Sequence, residues 1–237
     1  MTAILLDGQK LADDVKQQIA TQVEQLDFVP GLGTILVGDD PASHSYVGAK
    51  IRDCAEVGIA SIHEHLPADT QQTELESVIQ KFNSDPNVHA YIVQLPLPKQ
   101  LNEEAALLAI DPQKDADGLH PVNLGRLVMG VDGPLPCTPR GIQLMLETYE
   151  IPVEGKQVCV IGRGLTIGRP MALLMALKRP TANAAVTVIH TGVPDLAHYT
   201  QQADIVIAAA GVPNLVTPDM IKPGAAVIGG GLTREGK

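Results

Sequence analysis

Apolar positions change their spacing along the chain. Residues 9–26 carry an apolar stripe at helical spacing, and residues 34–38 form a continuous apolar run typical of a buried strand. A second helix is predicted to begin at Pro41-Ala42-Ser43 and to end near Val57, because the next residue, Gly58, is a common helix stop. This alternation predicts an α/β fold.

A segment rich in Gly, Pro and Asp divides the alternating elements into two groups. Residues 111–139 are predicted to form loops with one short helix near 124–129. We therefore predict an N-terminal αβ domain over residues 1–120 and a Rossmann-like domain over 121–237, separated by a cleft. The other predicted strands are 61–66, 90–94, 157–161, 185–190, 204–209 and 225–228, and the other predicted helices are 71–83, 140–150 and 167–178.

Composition agrees with this fold class and excludes some functions. Aromatic residues make up 3% of the 237 residues, so the core must be aliphatic, which suits helices packed on parallel strands. The formal net charge is −10 without a compensating basic stripe, which argues against nucleic-acid or membrane-surface partners.

The cysteines and the apolar runs indicate where in the cell the protein is located. Cys54, Cys137 and Cys159 are scattered, so they indicate neither a disulfide framework nor a zinc site, and no metal ion is expected. The chain passes from Met1 into a helical pattern without a signal segment, and no apolar run is long enough to span a bilayer. We expect a cytoplasmic protein.

A glycine-rich turn lies between a predicted strand and a predicted helix. Gly162, Gly164 and Gly168 follow the apolar run 158–161. Such a turn lets the backbone approach a pyrophosphate at the helix N-terminus, although the same glycines could simply make a tight connection.

The residues around this turn favour NADP over NAD. The next predicted strand ends in His190-Thr191 and lacks the carboxylate that usually binds the ribose hydroxyls of NAD. Arg163 lies inside the turn, where its guanidinium could bind a 2′-phosphate in bidentate fashion.

Three polar residues are candidates for catalysis. Tyr46 and Lys50 stand at i and i+4, so they share one helix face, and a lysine is a useful acid or base where a cleft removes water. Read alone, the pair is better explained as a solvated lysine packed on a tyrosine. Gln94 ends a predicted strand, where ligands bind open α/β sheets, although it could merely cap the loop.

Two further loops are candidates for the cleft wall. Asp115-Ala116-Asp117-Gly118 fails as a calcium loop, because Leu124 stands where a bidentate Glu is required. A buried aspartate there could instead accept paired N–H bonds from a heterocycle. Pro136-Cys137-Thr138-Pro139 is predicted to be another loop, and Cys137 has no base partner that would make it a nucleophile.

Taken in order, these motifs resemble the bifunctional methylenetetrahydrofolate dehydrogenase/methenyltetrahydrofolate cyclohydrolase family. The resemblance covers essentially the whole chain. The matching stretches are 37–43 with Tyr46 and Lys50, then 93–98, 114–118, 121–127, 136–139 and 162–170.

The resemblance implies two reactions in one cleft. Hydride passes from 5,10-methylenetetrahydrofolate to NADP, and water then opens the methenyl product to 10-formyltetrahydrofolate. By the same resemblance, Lys50 is the acid or base of the hydrolysis, Gln94 orients it, Tyr46 stacks on the folate and Asp117 holds the pterin. A homodimer is also implied.

Further contacts are expected beside these motifs. The folate side would include Leu95, Pro96 and Gly118, and the NADP side would include Gly162, Arg163, Gly164, Ile167, Gly168, His190, Thr191, Gly211 and Pro213.

The chain departs from the family pattern in places. Serine is common in the family where this chain has Gly164 and Thr191, and Asp-x-Gly is common where it has Gly229-Gly230-Gly231. The chain also stops at Lys237, within a predicted turn at 234–237 and several dozen residues short of the usual family length, so truncation is expected.

Two other functions stay open at this point. One is a different two-domain NADP dehydrogenase, such as one acting on shikimate, which would not require the set of Tyr46, Lys50 and Gln94. The other is a catalytically impaired folate- or nucleotide-binding protein, which the glycine triplet and the early end of the chain would favour.

Overall fold

The computed structural model describes residues 3–230 of the chain. Residues 7–123 form one compact unit, called here the N-terminal unit. Residues 3–6 and 124–230 form the C-terminal unit. Each unit contains one parallel sheet, in agreement with the predicted α/β class.

The N-terminal unit alternates helices with strands as the apolar pattern predicts. Every element predicted for residues 1–100 is present, with bounds shifted by a few residues. The elements are α1 (Gly8–Val23), β1 (Gly31–Val37), α2 (Pro41–Val57), β2 (Ala60–Leu66), α3 (Gln72–Ser84), β3 (Ala90–Val93) and α4 (Glu103–Ala109).

The order of its strands is β2-β1-β3, with all strands parallel. Central β1 is buried along almost its whole length, as expected for a strand covered on both faces. The chain passes through α2 to β2 on one side of β1 and through α3 to β3 on the other. The topological switch point, where ligands bind open α/β sheets, therefore lies between the carboxyl ends of β1 and β3.

Helix α2 begins and ends at the residues that the sequence predicts. The Asp40 carboxylate caps its start by accepting a hydrogen bond from the Ser43 N–H at 2.8 Å, and Pro41 occupies the first turn. Gly58 ends the helix in the left-handed conformation, at φ +79°. Both ends of the helix are thereby fixed by local chemistry.

Helix α4 was missed in the sequence. Asn102 caps its start by accepting a hydrogen bond from the Ala105 N–H at 3.1 Å, and Glu103 and Glu104 occupy the first turn. These are ordinary helix-start signals, but the helix is only 7 residues long and shows little periodicity.

The C-terminal unit has the strand order β5-β4-β6-β7, again entirely parallel. The division between the units falls between Asn123 and Leu124, inside helix α5. The elements are α5 (Pro121–Met129), α6 (Cys137–Thr148), β4 (Gln157–Ile161), α7 (Gly168–Ala176), β5 (Ala185–Ile189), α8 (Ala197–Thr200), β6 (Ile205–Ala208), a 3₁₀ turn (Pro218–Met220) and β7 (Ala226–Gly229).

Alternate residues of β4 point to opposite faces of this sheet. Val158 and Val160 belong to one apolar cluster, which includes Leu146 of α6 and Leu174 of α7. Cys159 and Ile161 belong to a second cluster on the other face. Burial on both faces explains why β4 is continuously apolar in the sequence.

The prediction of a loop over Pro136–Pro139 was wrong. Helix α6 begins at Cys137 and includes Pro139 in its first turn, where a proline is tolerated because that N–H has no intrahelical acceptor. Pro139 is buried, so the first turn packs into the unit, while Cys137 is exposed.

Part of the predicted glycine triplet is described. Gly229 ends β7, and the Gly230 N–H donates to the Ala208 carbonyl at 2.8 Å, continuing the pairing with β6. Gly231 and the predicted turn at 234–237 lie outside the described residues. Within residues 3–230, no helix is long and apolar enough to cross a membrane.

Gly31 allows a direct test of how β1 packs in the N-terminal unit. A Cβ there would overlap the Asn87 carbonyl oxygen, which is backbone and cannot swing away, whereas a Cβ at Gly48 of α2 would meet only the Arg52 guanidinium, at 3.5 Å. We predict that Gly31→Ala lowers the free energy of unfolding by about 2 kcal/mol or more.

The matched variant Gly48→Ala is predicted to raise the free energy of unfolding slightly, by up to about 1 kcal/mol, because alanine favours the helix. Urea denaturation measures both. Equal stability of Gly31→Ala and the unchanged protein would contradict this packing of β1.

Candidate functional site

Lys50 and Gln94 meet at the switch point of the N-terminal sheet. The Lys50 Nζ donates a hydrogen bond to the Gln94 Oε1 at 3.0 Å, although 44 residues separate them in the chain. Gln94 follows β3 directly, and its N–H donates to the Ile35 carbonyl of β1 at 2.9 Å. The structure thus joins two of the three residues that the sequence singles out for catalysis.

A second hydrogen bond sets the orientation of the Gln94 amide. Its Nε2 donates to the Leu95 carbonyl at 2.8 Å, which leaves Oε1 facing Lys50. The side chain therefore caps the loop and also holds the lysine, so both explanations of Gln94 apply. The following peptide bond, Leu95–Pro96, is cis, and Pro96 is exposed.

Tyr46 is the third member of this group. The Lys50 Nζ lies 5.5 Å from the centre of its ring, within the range of a cation–π contact. The tyrosine is 41% exposed, so its ring is not part of the core. Lys50 is half-buried and hydrogen-bonded, which argues against a freely solvated lysine.

Asp115 and Asp117, in the loop between α4 and α5, have different surroundings. Asp115 is buried, and its Oδ2 accepts hydrogen bonds from the His120 N–H at 2.8 Å and the Asn123 Nδ2 at 2.9 Å. Asp117 is only half-buried. The expectation of a buried aspartate therefore fits Asp115, whose carboxylate accepts hydrogen bonds from the protein itself, whereas Asp117 is more exposed. Gly118 follows with φ +67°.

The glycine-rich turn lies at the switch point of the C-terminal sheet. It connects β4 to α7, and β4 pairs with β5 on one side and with β6 on the other. Ile167 is half-buried and immediately precedes α7. Strand, turn and helix N-terminus thus adopt the arrangement that favours a bound phosphate.

The three glycines of this turn have different roles. Gly162 has φ +119°, and a Cβ there would lie 2.6 Å from the Ala209 carbonyl oxygen. A Cβ at Gly168 would overlap the Gly162 carbonyl. Both glycines are thus required by the tight connection itself. A Cβ at Gly164 meets nothing within 4 Å, so packing does not require a glycine there.

The polar residues nearby suit a ligand with an additional phosphate. Arg163 is exposed, and the described part of the chain gives it no acidic partner. At the end of β5, the His190 Nδ1 accepts a hydrogen bond from the Gly192 N–H at 3.1 Å, and Thr191 is exposed. The residues present therefore fit NADP, with an open guanidinium and no carboxylate at the end of β5.

Gly211 and Pro213 line a concave surface that encloses a volume of about 320 Å³. Ala208 and Gly229, at the carboxyl ends of β6 and β7, line it as well. Asn214 also contributes and was not singled out in the sequence, although the Gly and Pro beside it mark a turn.

Comparison with protein families matches both units. The model described as "Tetrahydrofolate dehydrogenase/cyclohydrolase, catalytic domain" matches residues 6–117. The model described as "Tetrahydrofolate dehydrogenase/cyclohydrolase, NAD(P)-binding domain" matches residues 136–237.

Individual proteins give the same result. The bifunctional protein FolD of Syntrophotalea carbinolica is 56% identical over 240 residues, which span 100% of this chain and 83% of that protein. The crystal structure of the FolD enzyme from Campylobacter jejuni matches with a TM-score of 0.90 and 42% identity, over 94% of this chain and 79% of that one. The FolD structure from Trypanosoma brucei, complexed with NADP and an inhibitor, matches with a TM-score of 0.91 and 37% identity, over 96% and 78% of the two chains.

Proposed function

Because the chain belongs to the tetrahydrofolate dehydrogenase/cyclohydrolase family, we propose that it catalyses two consecutive reactions on tetrahydrofolate derivatives. It oxidises 5,10-methylenetetrahydrofolate to the 5,10-methenyl form with NADP, and it hydrolyses that product to 10-formyltetrahydrofolate. The observation that carries the second activity is the Lys50–Gln94 hydrogen bond at 3.0 Å beside the exposed ring of Tyr46.

Hydrolysis requires a group that moves a proton. Water adds to the methenyl carbon, and the bond between that carbon and N5 of the folate breaks. One proton of the attacking water ends on N5 and the other is released. We assign this transfer to Lys50, since a positioned acid or base contributes about 10²–10⁴-fold to such a step.

Gln94 acts in this proposal as a positioning residue. Its Oε1 accepts one of the three hydrogens that a charged Lys50 Nζ can donate, which fixes the direction of the amine. The other Nζ positions stay available to the substrate and the attacking water. The Leu95 carbonyl in turn holds the amide of Gln94.

The remaining folate contacts follow from shape and polarity. The exposed ring of Tyr46 offers a flat apolar face on which the pterin can stack. Asp117 has a carboxylate in a glycine loop and is proposed to accept N–H bonds from the pterin. Leu95, Pro96 and Gly118 complete this proposed contact surface.

The C-terminal unit is proposed to hold NADP, which supplies the hydride acceptor when bound. Backbone N–H groups from Gly162 to Gly168 would bind its phosphates at the start of α7. Arg163 and Thr191 would bind the 2′-phosphate, with His190 beside them. Gly211 and Pro213, on the concave surface beyond β6, would contact the rest of the cofactor.

Three broader properties are part of the proposal. Residues 1–120 would act as the folate domain and 121–237 as the NADP domain. A homodimer is proposed from the family resemblance alone. A cytoplasmic location without nucleic-acid or membrane partners is proposed from the net charge of −10 and the scattered cysteines.

Lys50→Met tests the catalytic assignment. We predict that it abolishes hydrolysis of methenyltetrahydrofolate, a loss of at least about 10²-fold, because the proton-transfer group is removed. Reduction of NADP falls less, since hydride transfer depends mainly on alignment. The loss of methenyl absorbance and the appearance of NADPH absorbance measure the two reactions separately.

Lys10→Met is the matched control, because Lys10 is exposed on α1, and it is predicted to leave both rates unchanged. Full hydrolysis by Lys50→Met would contradict the assignment. Binding of both ligands by the unchanged protein without turnover would instead favour the impaired binding protein, and absence of both signals would contradict the proposed function altogether.

Arg163→Ala tests the cofactor assignment. We predict that the dissociation constant for NADP rises about ten- to a hundredfold, as expected when charge-assisted hydrogen bonds worth about 1.5–3 kcal/mol are lost. Binding of NAD, which has no 2′-phosphate, is predicted to change little. Titration calorimetry with each cofactor measures the preference.

The control is Lys178→Ala, which removes another exposed positive charge from the same unit. It is predicted to leave the NADP/NAD ratio unchanged. An unaltered ratio in Arg163→Ala would show that another group binds the 2′-phosphate.

A further inference from the structure

Three side chains with metal-binding atoms converge on one side of the N-terminal sheet. Asp39 lies in the loop after β1, His44 lies in the first turn of α2, and His65 lies near the end of β2. One oxygen of the aspartate and one ring nitrogen of each histidine all lie within 4.8 Å of one another. None of these residues belongs to the proposed folate or NADP sites.

Local structure explains why the three meet. Asp40 is occupied in capping α2, which leaves the neighbouring carboxylate of Asp39 to face the two rings. β1 and β2 pair in register from Gly31 with Ala60 to Val37 with Leu66, so the end of β2 stands beside the loop that follows β1. The rings of His44 and His65 meet edge to face, with centroids 5.0 Å apart.

The spacing of the ligand atoms suits a tetrahedral metal ion. Zinc bonds of about 2.0–2.2 Å in tetrahedral geometry place two ligand atoms about 3.3–3.6 Å apart. The Asp39 Oδ1 lies 3.4 Å from the His44 Nε2 and 3.6 Å from the His65 Nε2. Two of the three distances between the ligand atoms therefore already have the length that a tetrahedral ion requires, and the third pair lies within 4.8 Å.

From this geometry, we propose that Asp39, His44 and His65 form a binding site for a divalent transition metal ion of the zinc type. Two imidazoles and one carboxylate are ligands that Zn²⁺, Co²⁺ and Ni²⁺ accept, and an ion held by three protein ligands keeps one position for water. The hard ions Mg²⁺ and Ca²⁺ prefer sites made of oxygen atoms and are poor candidates.

Two features moderate the affinity of this site. The His65 Nε2 also lies 3.0 Å from the Gly38 carbonyl, and that hydrogen bond must be given up when the nitrogen binds a metal ion. All three side chains are partly open to water, with Asp39 the most exposed at 78%. Both features favour reversible binding over a permanent structural ion.

Calorimetric titration of the untagged full chain with ZnCl₂ tests the proposal. One equivalent of zinc should bind per chain, and His44→Ala, His65→Ala and Asp39→Asn should each weaken binding by more than about tenfold. His63→Ala is the matched control, because the His63 ring stacks on His65 at 6.3 Å but lies outside the group of three, and it should leave the affinity unchanged.

Titration with CoCl₂ gives an independent readout. Visible absorption typical of tetrahedral cobalt with nitrogen and oxygen ligands is expected, and it should disappear in His44→Ala. A sulfur-to-metal absorption band would place the ion on a cysteine such as exposed Cys137 and would overturn the proposal. Absence of zinc binding, or wild-type affinity in both histidine variants, would overturn it as well.

Discussion

The hydrogen bond between Lys50 and Gln94 depends on the central position of β1 in a parallel sheet. With β2 on one side and β3 on the other, the helix that follows β1 and the residue that follows β3 meet at one edge. Asp40 fixes where that helix begins, so Lys50 reaches this edge in the middle of α2. A lysine that looks like an ordinary surface residue in the sequence is thereby given a defined partner and a defined direction.

A central parallel strand also positions the proposed nucleotide site of the C-terminal unit. There β4 is flanked by β5 and β6, and its carboxyl end leads into a turn so tight that a Cβ at Gly162 or Gly168 would overlap backbone atoms. Gly164 is free of that packing constraint. The serine common in the family at this position would therefore fit, and the departure noted in the sequence does not disturb the turn. Each unit thus presents its chemistry where a parallel sheet reverses its strand order.

Helices and strands whose bounds are set by neighbouring residues were predicted well from the sequence. The bounds of α2 follow from a cap, a proline and Gly58, and the buried strands follow from continuous apolar runs. The first turn of α6 and the short helix α4 were not found, because prolines and weak periodicity obscured them.

The burial of single side chains and the grouping of side chains in space were harder to predict, because both depend on contacts between residues that are distant in the sequence. The sequence could not show that Asp115 is the more buried of the two aspartates, since its burial depends on contacts with His120 and Asn123. The group of Asp39, His44 and His65 comes from separate elements and shows no ligand spacing along the chain, so the sequence does not reveal it. Family resemblance supplied the reaction and pointed to Gln94 as the partner of Lys50, and the structure supplied the hydrogen bond that joins them.

The most direct test of this account is the rate of methenyltetrahydrofolate hydrolysis by Gln94→Ala, measured together with its stability in urea. If Gln94 acts by directing Lys50, kcat should fall by about tenfold or more while KM and the free energy of unfolding change little. Hydrolysis at the unchanged rate by the folded variant would contradict the account, because the hydrogen bond would then have no role in catalysis.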